Sequence, residues 1–156
     1  MEEAELNNIQ ITSKIVSVQL TNFSVASISD IEKLTVHKDK FAYEYNVNIK
    51  LEPTQRLIIV YSNIKIFSDL TKTLYLGEIA TTGTFELINL EDMLKKFSGS
   101  IPTFVFALFL GVVISTSRGF LLLKSEGTII QGATLPIVDS GSFFPQPIIK
   151  TEKPQQ

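Results

Sequence analysis

From Phe41 to Glu52 apolar and polar residues alternate almost without a break. Phe41, Tyr43, Tyr45, Val47, Ile49 and Leu51 fall on one parity, and Ala42, Glu44, Asn46, Asn48, Lys50 and Glu52 on the other. A period of two sorts side chains onto opposite faces of an extended chain, so this stretch predicts a half-buried strand. Pro53-Thr54-Gln55 breaks it with turn chemistry, and Leu57 to Phe67 is β-rich again, which predicts an antiparallel hairpin. In the second strand Leu57, Ile58, Ile59, Val60 and Tyr61 are apolar on both parities, the pattern of a central strand covered on both faces. Upstream, Ile9 to Ile28 is strand-like with a slipping phase: Ile9, Ile11 and Ile15, then Val16, Val18 and Leu20, then Phe23 and Val25. Each slip turns later side chains to the other face, so one long strand with bulges is the simplest account. Leu74 to Leu87 predicts a fourth strand, with Tyr75, Ile79, Phe85 and Leu87 on one parity and Leu74 and Leu76 on the other. Gly77 and Gly83 within it mark bends or close backbone approaches.

The period then changes. Asn89 is placed to cap a short helical turn through Met93 to Phe97, with Asp92 three residues on. Ser100-Ile101-Pro102 offers a second start, a capping Ser and a Pro suited to the first turn, for a helix running to Ser125 or Glu126 and ended by Gly127. Between Phe104 and Ile114 that helix is apolar on every side apart from Gly111, and only afterwards do Ser115, Thr116, Ser117, Arg118 and Lys124 bring polarity. One sheet covers one face of a helix, so the other face needs a second cover. Burying a Phe or Leu is worth about 1.5–3 kcal/mol, which makes homo-oligomerisation the economical solution. Phe104, Ala107, Leu108, Gly111 and Val112 form the expected interface, with Ala107 and Gly111 permitting close approach. A membrane span is the rival, but a span needs roughly 20 apolar residues, and here the apolar run stops near Ile114 ahead of Arg118.

The predicted architecture is therefore α+β, a four-stranded antiparallel sheet followed by one long helix. Residues 1–139 form the domain, and the proline-broken stretch 140–156 reads as a mobile tail on which Phe143 and Phe144 can dock.

Composition narrows function mainly by exclusion. The hydrophobic share of 44% is high and the charged share of 19% low for a chain that stays in solution, which again points to covered apolar surface. A net charge of −2 lacks the basic footprint that phosphate backbones demand, so nucleic acid is not an expected partner. The absence of cysteine removes disulfides, thiolate metal sites and a cysteine nucleophile, and fits the cytoplasm. Glu2, Glu3 and Glu5 stand where an export signal would carry positive charge.

Catalytic parts are equally scarce, and neither a metal nor a cofactor is expected. His37 is the sole histidine, in a polar stretch, and reads as a surface loop residue. Glu44, Glu52, Glu78 and Glu86 lie on strands and could be juxtaposed as a glycosidase dyad, although strand carboxylates ordinarily face water. No nucleotide-binding or serine-hydrolase motif occurs. Arg118, near the polar end of the helix, is expected to pair with a carboxylate or a carbonyl. What remains is aromatic surface. Most of it is core, but Phe41, Tyr43, Tyr45, Val47 and Ile49 together form the expected face for extended polypeptide, which needs apolar contacts and strand hydrogen bonds and no catalytic group.

Several collinear stretches resemble the SecB export-chaperone family. Thr21-Asn22-Phe23-Ser24-Val25 looks like that family's end of the first strand, typically Lys-Asp-aliphatic-Ser-Phe-Glu. Leu76-Gly77-Glu78-Ile79-Ala80-Thr81-Thr82-Gly83-Thr84-Phe85 is similar to its fourth strand, Ser117-Arg118-Gly119 to its signature near the end of the long helix, and Leu135-Pro136-Ile137-Val138-Asp139 to its post-helix stretch. The resemblance implies a non-enzymatic homotetramer, a dimer of dimers with long helices between two sheets. It also implies that unfolded polypeptides are bound and that secretory ones are delivered to the SecA motor. Leu76 and Glu78 occupy positions of the family's motor-docking surface, whereas its acidic first-strand positions are Asn22 and Ala26 here. Divergent SecB-like proteins serve antitoxins of toxin–antitoxin systems, and that role stands beside export. A structural or adaptor protein holding one folded partner on the same sheet edge is the alternative outside this class.

Overall fold

The computed structural model describes residues 10–27 and 40–145. The alternating stretch forms β2 (Ala42–Glu52), and a single 3-10 turn over Pro53–Gln55 returns the chain into β3 (Leu57–Phe67). Arg56 closes that turn in the left-handed region, at φ 56°. The hairpin is in unbroken antiparallel register from Ala42 opposite Phe67 to Glu52 opposite Leu57. With β1 (Ser13–Val25) and β4 (Tyr75–Leu87) it makes one antiparallel sheet of order β1-β4-β3-β2. β1 and β2 are its two edges.

The two phase slips in the first strand are bulges. Register against β4 shifts between Ile15 and Ser17 and again between Leu20 and Asn22, so in spite of their broken spacing Val18 packs on one apolar cluster and Leu20, Phe23 and Val25 on a second. A third irregularity has no counterpart in the expected pattern: register between β3 and β4 skips from Ile66–Gly77 to Phe67–Tyr75. The skip turns Leu76 inward to complete burial and leaves Tyr75 exposed, reversing the parity read from the sequence at this end of β4. The glycines of β4 serve close approach. A Cβ on Gly77 would meet the Ser24 carbonyl oxygen at 2.4 Å, and one on Gly83 would lie 2.5 Å from Val113 Cγ2.

β3 is central, yet only one of its faces is buried. Ile58, Val60, Ser62, Ile64 and Ile66 point into the core, while Tyr61 on the other face is 41% exposed. The expectation of cover on both faces is thus corrected: every helix among the described residues lies on the inner side, and the outer face carries Glu44, Asn46, Asn48 and Lys50 of the neighbouring strand.

After β4 comes α1 (Leu90–Lys96), then α2 (Thr103–Lys124). Neither uses its expected cap. The Asn89 side chain instead ties down the approach to β1, accepting from the Thr12 N–H at 3.0 Å and donating to the Gln10 carbonyl at 2.7 Å. Ser100 donates to the Phe97 carbonyl, and Pro102 occupies the N-cap of α2. α2 is long and apolar enough to cross a membrane by length and composition, but Val105, Phe109, Leu110, Val113, Ile114, Ser117 and Leu121 are buried.

Two apolar clusters fill the space between helix and sheet. The first gathers Ile58, Val60, Phe85 and Leu87 with Phe109, Leu110, Val113 and Ile114, and Phe85 stacks on Phe109 at a centroid distance of 4.5 Å. The second gathers Ile64, Ile66, Leu76 and Ile79 with Leu121, Ile130, Ala133 and Leu135. Between them on the sheet lie the buried hydroxyls of Ser62 and Thr81, and Ser117 of α2 donates to Thr81 Oγ1 at 2.8 Å.

Candidate functional site

β2 is an edge strand with polar residues on its outer face and Tyr43, Tyr45, Val47, Ile49 and Leu51 half-buried on its inner face. Phe41, just before the strand, joins Tyr43 and Tyr45 against the second cluster, while Tyr45, Val47, Ile49 and Leu51 lie against the first. All five residues expected to bind polypeptide therefore sit on one side of the sheet. On one edge β2 pairs with β3, and among the described residues no strand pairs with the other. Unpaired strand edges present rows of N–H and C=O groups that an added extended chain can use.

The inner row has two covers. Beyond α2 the chain runs under Arg118, whose Nε donates to the Leu135 carbonyl at 2.8 Å and whose guanidinium also donates to the Pro136 carbonyl at 2.9 Å. Arginine's rigid fork suits two carbonyls on consecutive residues. Thr134, in the same stretch, hydrogen-bonds Tyr43 through its backbone. Burial pushes the Tyr43 phenol up to about 12, the Thr134 bond opposes this, and neighbouring Tyr45 adds to it. Burial also raises Tyr45, with Arg118 opposing.

The second cover is the start of the expected tail. Asp139 caps a 3-10 turn over Ser140–Phe143 by accepting from the Gly141 N–H at 2.9 Å. Phe143 meets Tyr45 edge to face at 5.7 Å, and Phe144 lies 6.3 Å from Phe106 of α2. The tail boundary at Ser140 therefore falls just before docked aromatics.

The helix residues expected at an oligomer interface divide. Phe104 is 38% and Leu108 49% exposed. Ala107, Gly111 and Val112 are half-buried, and a Cβ on Gly111 would lie 3.4 Å from Ser140 Oγ, so this chain's own turn makes use of the close approach. A cleft of about 510 Å³ opens between the turn, the start of α2 and Ile11.

Of the two docking residues, Leu76 is completely buried and offers no surface. Glu78 is on the outer face, accepting from Asn22 at 2.8 Å and from Asn63 at 3.5 Å. The other strand carboxylates are likewise engaged separately, Glu86 with Arg56, Glu52 with Lys50, and Glu44 with Lys65 and Lys72. Among the described residues no cluster of three or more His, Asp or Glu could hold a metal ion, and His37 lies outside them.

No protein-family model matches the chain, and no curated protein matches it in sequence. Among solved structures it is similar to a SecB-like chaperone of Mycobacterium tuberculosis, determined in complex with a ChAD peptide from the HigA1 antitoxin. Identity is 12% and the TM-score 0.55, over 86% of this chain and 94% of that one. The fold is SecB-like. At this identity the likeness concerns architecture, a four-stranded antiparallel sheet with a long helix after it. Arg118 meets carbonyls and Phe143 and Phe144 are docked, as the sequence suggested, but that these groups cover the β2 row was not legible from it. The signals were a lone arginine in a helix rich in apolar residues and two adjacent phenylalanines in an otherwise aperiodic stretch.

Proposed function

We propose that this chain is a non-enzymatic SecB-like chaperone of the cytoplasm, a holdase that binds unfolded polypeptide along β2. The observation that carries this is the β2 edge, unpaired among the described residues, above a half-buried row of Tyr43, Tyr45, Val47 and Ile49. Such an edge offers main-chain hydrogen bonds of any sequence, and the row offers contacts to alternate side chains of an added strand. The SecB-like fold supports it, as does the peptide held by the similar mycobacterial protein. A client of the antitoxin kind is favoured over delivery to SecA, because buried Leu76 leaves Glu78 alone of the expected docking pair. The exposed Phe104 and Leu108, continued by Leu122 and Leu123, form the surface for a homotetramer.

The test is aggregation of an unfolded model client. The chain is expected to slow it at stoichiometric amounts and to run in the same buffer at a mass near four times 17.4 kDa. An unchanged aggregation rate at several-fold excess refutes the chaperone reading, and a monomeric mass refutes the tetramer.

A further inference from the structure

The inner row of β2 and the facing side of α2 each already carry an aromatic side chain, Phe143 on Tyr45 and Phe144 on Phe106, and both are this chain's own. We infer that Phe143 and Phe144 are an intramolecular stand-in for client: they occupy two adjacent aromatic subsites, one on Tyr45 and one on Phe106, and an extended polypeptide bearing neighbouring aromatic residues displaces them. The inference rests on the chaperone reading and specifies its substrate class.

Three features make the contact one of side chains on a detachable turn. The turn is shaped by bonds within itself, from the Gly141 N–H to the Asp139 carboxylate at 2.9 Å, from the Ser142 N–H to the Asp139 carbonyl at 3.1 Å, and from the Phe144 N–H to the Gly141 carbonyl at 3.1 Å. These bonds travel with the turn when it lifts from the groove. Next, the cleft of about 510 Å³ between it and α2 leaves one flank of Phe144 unpacked, so lifting it forfeits less contact than moving a core residue. Finally, the Tyr45 hydroxyl, on the ring that Phe143 packs against, is buried without a hydrogen-bond partner among the described residues. A closed state that leaves a polar group unpaired is disfavoured relative to one in which solvent or a client carbonyl reaches it. Edge-to-face and tilted ring contacts are general to aromatic side chains, so the subsites select ring chemistry rather than one sequence.

Because the chain has no tryptophan, F143W places a single reporter on the Tyr45 subsite. The probe is a tryptophan-free synthetic peptide with two adjacent phenylalanines in a Ser/Gly/Lys frame, and the control carries alanines in their place. Titrating the full-length F143W chain with the probe is expected to red-shift the indole emission as it enters water, and the control is expected to leave it in place. Removing the stand-in with F143A/F144A is expected to tighten binding of the probe about tenfold, since a self-occupied site lowers apparent affinity by the fraction that is open. Probe binding with an unmoved indole, or with equal or weaker affinity for F143A/F144A, overturns the stand-in and leaves the chaperone reading intact. No binding of the probe or of an unfolded client by any form overturns both.

Discussion

The two halves of α2 bury themselves by different physics. Its N-terminal half, Phe104 to Ile114, is apolar nearly all round and has only dispersion and burial to hold it. The sheet takes Phe109, Leu110 and Val113, the Ser140–Phe144 turn takes Phe106, and Phe104 and Leu108 are left substantially exposed. The C-terminal half is more polar and more completely fastened. Ser117 bonds to the sheet at Thr81, and Arg118 holds the Leu135-Pro136 stretch over the second cluster. Hydrophobicity thus runs opposite to fixity along this helix. The apolar half can exchange one cover for another, whereas directional bonds commit the polar half to one.

The sharpest break of that contrast is a cavity in the apolar half. Phe109→Ala removes the ring stacked on Phe85, and a buried Phe cut to Ala costs about 3–5 kcal/mol. Urea unfolding is expected to show that loss; less than about 1 kcal/mol would mean that the exchangeable half is not anchored through its sheet-facing side. In the polar half, Arg118→Ala leaves two carbonyls without their donor. Charge-assisted hydrogen bonds contribute about 1.5–3 kcal/mol each when sheltered, and one of this pair is solvent-facing, so about 2 kcal/mol in all is expected. Faster amide exchange over 127–139, with the Ser140 turn less affected, is the accompanying signature. Arg118→Lys is expected to restore less than half, because an ammonium group cannot reproduce the fork. Uniform loosening of both covers in either variant would erase the distinction between the halves.

Much of this architecture was legible where period and burial coincide. The β2 alternation and the β3 limits follow directly from the sequence because the β2–β3 pair runs in one continuous register, and the two slips in β1 coincide with its two bulges. Leu76 was misread because its parity depends on a bulge at the β3–β4 end, which is set by pairing between strands and leaves no mark in the local pattern. Leu57 and Ile59 suggested cover on both sides of β3, yet apolarity states only what a side chain tolerates. Asn89 had the chemistry of a cap and was drawn into a long-range tie with Gln10 and Thr12. At the site, the aromatic row was visible because it shares the strand's period. Its covers were not, since Arg118 reaches 17 residues along the chain and the Phe143 turn has no period of its own.

The smallest expected effect probes the seam where the two covers meet on β2. Tyr43 lies under the fixed cover, and burial raises its phenol from the ordinary 10.0 to about 12. The folded state therefore keeps the proton over a range in which the unfolded chain has lost it. Stability from this group is complete below pH 10 and is lost as pH rises through about 12. Because the side chain is only half-buried, solvent screening reduces the contribution to about 1 kcal/mol. Tyr43→Phe has no proton to lose, so its unfolding free energy is expected to fall less steeply than that of the parent chain between pH 10 and 12. All other titratable groups are present in both proteins, so the difference reports Tyr43 and its coupling to Tyr45. Parallel pH profiles would show that the Thr134 stretch does not seal this end of the row. In that case the fixed cover would be as open to exchange as the Phe143 turn.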